Sequence, residues 1–426
     1  MREKSFVKHI YTKEYFILLG IGFLPSLCKV LEIALLAGIE SSIKILGQIA
    51  LVGIIFKVFE EGLLNPLYKI FSSENYTTAE EKTALAKKFL LYYSLATALF
   101  TAIVFVLTIP IMQVSKVPQS IFCETINFLR VYIIASGVGV VSKYLYTFSV
   151  ITKDTKHMFI YLISKVLGTT ILFLLFVPQF CLGMGAMGVA ISELIINLVT
   201  LIYLAFKLPK TEKSTAFNKK QYFKLMGYSF TETIIRNVVY YFVILVMLNM
   251  LDNQNLYFVS NEYIWSLLLV PTIAQSSLIK QNLAQDKETT LKPYFINSLL
   301  LVGFMVILLP LAVLIFSGVY NLANYMDYFY VLLKLFPCYI IFVFDSVIEA
   351  YFISTGKMLH ILIQNLTTNI LIYLTAYICY LCGVWVVTLD TLILLFNLGV
   401  VVSSIYTITI YLIIRYRECK QTYKNT

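Results

Sequence analysis

Apolar runs longer than about 18 residues recur in this chain from one end to the other, the length needed to cross the hydrocarbon of a bilayer as a helix. Inside a bilayer no water satisfies the backbone, so each run must close its own hydrogen bonds. Hydrophobic residues make up 59% of the 426 and charged ones only 13%, against about 25% charged in ordinary soluble domains. Once the apolar runs are set aside, no segment of soluble-domain length remains. The expectation is an all-α, polytopic membrane protein.

Reading apolar runs against polar breaks predicts about twelve transmembrane helices. Their approximate spans are 15–39, 45–71, 88–113, 126–151, 157–180, 183–206, 223–250, 258–280, 293–317, 328–354, 358–381 and 386–414. An even number puts both termini on one side, and both tails are basic: Arg2, Lys4, Lys8 and Lys13 at one end, Arg415, Arg417, Lys420 and Lys424 at the other. About 24 of the 33 Lys and Arg fall in the tails and the alternate loops that share that side. Both termini are therefore expected in the cytoplasm, with the chain in the plasma (inner) membrane. The net charge of +10 reports orientation rather than an affinity for nucleic acid, and the lipid bilayer is the partner that composition demands.

A basic break at about 207–222 divides the helices six and six, into an N-terminal lobe at 1–206 and a C-terminal lobe with its tail at 223–426. The halves echo each other. Lys13-Glu-Tyr-Phe-Ile-Leu-Leu-Gly20 matches Lys220-Gln-Tyr-Phe-Lys-Leu-Met-Gly227, Lys29 falls opposite Arg236, and Pro110 in helix 3 has its counterpart at Pro310 in helix 9. The turn Thr152–Lys156 follows helix 4 as Ser354–Lys357 follows helix 10. Six helices per half start both repeats on the same side, so they relate as two six-helix bundles about a pseudo-twofold axis along the membrane normal. Pro25 removes a backbone hydrogen bond within helix 1, where it should kink and could hinge the helix.

No enzyme motif stands out. His9, His157 and His360 share no metal spacing, and neither a phosphate-binding lysine loop nor a nucleophile elbow is present, so no cofactor is expected. The seven cysteines suggest no disulfide frame, and Cys379 and Cys382 read as small apolar residues a helical turn apart. The first apolar run is too long for a cleavable signal and is followed by more of its kind.

Charges inside the apolar runs carry the functional signal, since each costs about 2.5–3.5 kcal/mol at a helix centre. Lys57 with Glu60 or Glu61, and Glu232 with Arg236, have the spacing of local helical pairs. Asp345 and Glu349, four apart on one helical face, have no such neighbour; the nearest base in sequence, Lys334, lies three turns away. Two carboxylates about 6 Å apart repel by roughly 3 kcal/mol at an effective dielectric near 20. A bound cation, a shared proton or a base from another helix would relieve this.

Thr152-Lys-Asp-Thr-Lys156, an apolar helix, and then Leu182-Gly-Met-Gly-Ala-Met-Gly-Val-Ala-Ile-Ser192 resemble the multidrug and toxin extrusion (MATE) family. Helix count and repeat extend the resemblance over nearly the whole chain. It implies a secondary exporter of small organic compounds, driven by Na⁺ or H⁺ antiport, with two lobes alternating access and the pathway formed within one chain as a monomer. It implies a cation-coupling role, and the metal-ion contact, for Asp345 of Asp345-Ser346, with Glu349 beside it. Glu40, about fifteen residues after Pro25, loosely matches the coupling acid of another branch. Lys29, Glu32, Lys143, Glu232, Arg236 and Asn237 are the expected cavity residues, Asn237 standing where a helix 7 acid would align. The basic members of that set leave a second reading open, a flippase for lipid-linked oligosaccharides in envelope synthesis.

Overall fold

A computed structural model describes residues 10–36, 45, 49–72, 78–114, 119–208, 218–248, 250–251, 253–286, 289–319, 322 and 324–425. They are almost wholly helical and form twelve helical stretches: α1 (Lys13–Leu36), α2 (Ile49–Ile70), α3 (Ala79–Val106, then Thr108–Val114), α4 (Phe122–Ile151), α5 (Thr155–Phe176), α6 (Gly185–Lys207), α7 (Lys219–Val239, then Tyr240–Leu245 and Val246–Leu248), α8 (Gln254–Tyr263, Ile264–Leu268 and Val270–Gln285), α9 (Lys292–Leu308, Leu311–Leu314 and Ile315–Val319), α10 (Tyr325–Thr355), α11 (Met358–Leu381) and α12 (Leu389–Asn425). Among the described residues, seven helices are long and apolar enough to cross a membrane, and an eighth span is the bent pair in α9. Large apolar side chains such as Leu99, Val106, Ile307 and Leu412 lie more than half exposed, a surface that suits lipid and not water.

Several boundaries differ from the expected ones for identifiable reasons. The first helix of the third span begins at Ala79 because Thr78 and Glu81 form a capping box, each side chain bonded to the other's backbone N–H at 3.2 Å. That polar first turn is invisible to a reading of apolar runs. α12 continues to Asn425 through its charged end. A proline ring clashes with the carbonyl four residues earlier. For Pro110 that residue is Val106, where the first segment of α3 stops. At Pro310 the segments of α9 meet at 42°. α1 is helical through position 25.

The chain forms two compact units, one of residues 23–64 and 70–220, the other of 1–22, 65–69 and 221–426. In the first, α4 is central, packing on α3 and α6, while α6 also packs on α5. The small-residue opening of α6 permits close approach: a Cβ on Gly188 would lie 2.7 Å from the carbonyl oxygen of Phe176. Asp154 starts α5 by accepting from the His157 backbone N–H at 3.2 Å.

In the second unit α10 is the hub, packed against α8, α9, α11 and α12. Its N-terminal two-thirds contributes Leu332, Leu335, Tyr339 and Val343 to a core completed by Leu268, Met305, Phe316 and Leu392. The turn after α10 reverses through Gly356 at φ +77°. The equivalent turn after α4 places Lys153 at φ 56°, the sole non-glycine of positive φ among the described residues. All four π-helical turns among the described residues, Tyr240–Leu245, Ile264–Leu268, Ile315–Val319 and Asn369–Leu374, lie in this unit.

Candidate functional site

Asp345 sits two-thirds of the way along α10 and is 4% exposed. Its Oδ2 accepts a hydrogen bond from the Ser404 hydroxyl of α12 at 3.1 Å, while its Oδ1 has no hydrogen-bond partner. The Thr407 hydroxyl, one turn beyond Ser404, is also close to the carboxylate, though it donates to the Ser403 carbonyl at 3.1 Å. Glu349, one turn on and half-buried, lies 3.5 Å from Gln364 Nε2 of α11, which also donates to Ser403 Oγ at 2.5 Å. Arg236 of α7 and Lys280 of α8 lie within electrostatic reach of Glu349, as does Asp345. No lysine or arginine among the described residues forms an ion pair with Asp345. Lys334, the nearest base in sequence, is bonded to Asp390 at 2.5 Å instead.

Glu232, also buried, is fully engaged. Its Oε1 takes Arg236 Nε at 3.3 Å and Asn365 Nδ2 at 2.9 Å, and its Oε2 lies 3.0 Å from the Thr233 hydroxyl, which also reaches the Ser229 carbonyl at 2.8 Å. The local Glu232–Arg236 pair is thus formed and is tied to α11 by Asn365. Asn237 turns back on its own helix, donating Nδ2 to the Thr233 carbonyl at 2.7 Å. The structure accordingly brings Asp345, Glu349, Glu232 and Arg236 into one polar interior. Three carboxylates there face two cations, Arg236 and Lys280.

The other unit holds Lys143, paired with Glu60 at 2.5 Å, and Lys57, 4.0 Å from Glu61. Glu60 therefore pairs across to α4 rather than along its own helix with Lys57. Lys165 of α5 is buried and donates to Asn197 Oδ1 of α6, while Asn197 Nδ2 is held by the Ala135 carbonyl of α4 at 2.9 Å. Its neighbour is an amide, not a carboxylate. Pro25, Lys29 and Glu32 occupy α1, but their side chains lie outside what is described, as does Glu40 altogether.

Residues that sequence reading passed over complete the site: Ser403 and Ser404 on α12, Gln364 and Asn365 on α11. The α11 pair was discoverable, because Gln364, Asn365, Thr368 and Asn369 form a polar stripe at helical spacing in an apolar segment. The serines were not, since hydroxyls in membrane helices commonly bond their own backbone, as Ser346 and Thr407 do. Among the described residues no three His, Cys, Asp or Glu converge as a metal cluster. The oxygens gathered at Asp345, from its own carboxylate and the Ser404 and Thr407 hydroxyls, are of the hard type that Na⁺-like cations and protons take.

Solved structures of the same fold exist. A point-substituted form of the Vibrio cholerae MATE transporter VcmN is 14% identical over 98% of each chain with a TM-score of 0.75. A MATE structure in complex with MaL6 is 17% identical over 98% of this chain and 97% of the other, with a TM-score of 0.78. A MOP superfamily transporter from Pyrococcus furiosus is 16% identical over 97% of this chain and 98% of the other, with a TM-score of 0.74. No family model matches the sequence, and neither does any curated protein. At these identities the likeness establishes the fold: a multi-pass membrane protein with the architecture of the MATE transporters.

Proposed function

We propose that this protein is a secondary active exporter of small organic compounds, a cation antiporter driven by Na⁺ or H⁺ that works by alternating access. One observation carries the reading. Asp345 is a buried carboxylate in a membrane-length helix, with one oxygen fixed by Ser404, the other unpartnered, and no base paired to it. A membrane-embedded carboxylate in that state is costly unless a cation or proton neutralises it. Glu349 sits one turn away as a second carboxylate whose charge is moderated by Arg236 and Lys280. The ion's drive equals the difference between its affinities for the two access states, so a site built around one unpartnered oxygen suits reversible capture. In proteoliposomes, an inward Na⁺ or H⁺ gradient should accelerate efflux of a fluorescent organic cation; equal efflux with and without either gradient would contradict antiport.

The second reading, a flippase for lipid-linked oligosaccharides, draws support from Lys165, a buried cation whose hydrogen-bond partner is the neutral Asn197. It is also supported by the Pyrococcus furiosus neighbour, for which a reverse polarity of the binding pocket suggests a different function. A flippase requires Lys165→Gln to abolish activity on an anionic lipid, whereas antiport of organic cations leaves Lys165→Gln active.

A further inference from the structure

Nine polar side-chain atoms among the described residues of the second unit are buried without a hydrogen-bond partner; three, Thr272 Oγ1 and both amide atoms of Gln281, lie on α8, and the other six are Tyr257 Oη, Asn397 Oδ1, Asn369 Nδ2, Thr368 Oγ1, Gln364 Oε1 and Asp345 Oδ1. Native interiors leave few such atoms, and in a membrane-spanning chain nothing outside satisfies them. These six lie on α8, α10, α11 and α12, helices that pack on α10 or on one another. Asn397 donates Nδ2 to the carbonyl of Lys334 at 2.9 Å, and Lys334 lines a surface cavity of about 390 Å³ with Asn253, Asp327 and Asp390. The ring of Tyr257 packs on Phe396, the residue before Asn397, and its hydroxyl lies within reach of Tyr240 and Tyr373. The Tyr373 hydroxyl abuts Gly399 of α12, where a Cβ would overlap it. From Tyr373, steps of four residues along α11 lead to Asn369 and on to Asn365, and Gln364 and Thr368 are likewise four apart beside them. Gln364 bonds Ser403, and the adjacent Ser404 bonds Asp345.

The ordinary arrangement of hydroxyls in such helices does not account for this file. Ser346, Ser354, Thr355 and Thr407 each donate to a carbonyl three or four residues earlier, but Thr368 does not. Three of the unit's π-helical turns, beginning at Tyr240, Ile264 and Asn369, fall on α7, α8 and α11, and such turns recur at functional positions. We propose that this row of buried hydroxyl and amide groups is a hydrated passage by which the coupling cation reaches Asp345 from the cavity where α10 and α12 begin. The passage rests on the coupling role proposed for Asp345. Along α10 its length from Lys334 to Asp345 is about 16 Å, eleven residues at the helical rise.

Cysteine accessibility tests it in the full chain with the native cysteines replaced, using a small ammonium methanethiosulfonate that reacts with thiols in water. Thr368→Cys should react at least tenfold faster than the outward-facing Ile370→Cys, and adding Asn397→Leu should slow Thr368→Cys at least tenfold. Asn369→Cys serves in the same way if Thr368→Cys does not fold. Reaction no faster than at Ile370→Cys, or reaction indifferent to Asn397→Leu, overturns the passage. Retention of cation coupling by Asp345→Asn would overturn the coupling role instead, and the cysteine rates read the passage independently of that result.

Discussion

Among the three carboxylates of its cluster, Asp345 is the one that joins near-complete burial, an oxygen with no hydrogen-bond partner, and no base paired to it. Glu232 is as buried but spends both oxygens on Arg236, Asn365 and Thr233. If Ser404 holds the Asp345 carboxylate in its capturing geometry, Ser404→Ala removes one charge-assisted bond, worth about 1.5–3 kcal/mol. The half-saturating cation concentration for transport should then rise about tenfold or more; a titration superimposable on wild type would dismiss this role for Ser404. The sequence singled out Asp345 because an i, i+4 pair of acids without a local base is visible in one dimension. Ser404 lies 59 residues away and nothing local distinguishes it from hydroxyls that bond their own helix. Lys153 adopts φ 56° in the turn where the repeat has Gly356 at φ +77°, and the left-handed region costs a non-glycine residue about 1–2 kcal/mol. Lys153→Gly should therefore raise stability by about 1 kcal/mol, read as a higher midpoint of thermal unfolding in detergent. An unchanged or lower midpoint would show that other Lys153 interactions outweigh the strain.

Helices were legible in proportion to how much of their signal is apolar length. Among the described residues each of the twelve expected spans overlaps a helical stretch, and the repeat partners Pro110 and Pro310 lie beside breaks in α3 and α9 that the apolar runs do not reveal. Ends that depend on polar caps were misplaced: α3 begins at Ala79 because of the Thr78–Glu81 box, nine residues before its apolar run. Close approach between helices is also set by particular small residues. A Cβ at Gly188 would meet the Phe176 carbonyl carbon and oxygen at 2.8 and 2.7 Å, backbone atoms that move only with α5 itself, whereas at Gly227 nothing lies within 4 Å. Gly188→Val should abolish folded protein, and Gly227→Ala in α7 should be tolerated or gain up to about 1 kcal/mol from helix propensity. Size-exclusion profiles in detergent compare the two. A monodisperse Gly188→Val with wild-type unfolding temperature would mean that α5 and α6 do not need this contact.

At the scale of the molecule, each unit carries its own set of charges within apolar helices, and the two sets named here differ in sign. Among the described residues, Glu232, Asp345 and Glu349 stand with Arg236 and Lys280 in one unit, and Lys57, Lys143 and Lys165 with Glu60 and Glu61 in the other. Composition alone established that charges inside membrane helices would need partners; which partners they take is a tertiary matter, as Glu60 choosing Lys143 shows. The proposed antiport places coupling in the acidic cluster, and the most direct measurement compares wild type with Asp345→Asn in proteoliposomes for two processes. One is gradient-driven accumulation of an organic cation under an imposed Na⁺ or H⁺ gradient; the other is substrate counterflow with no ion gradient. The account predicts that Asp345→Asn loses gradient-driven accumulation while retaining counterflow. Accumulation in Asp345→Asn equal to wild type, with counterflow also intact, would contradict it.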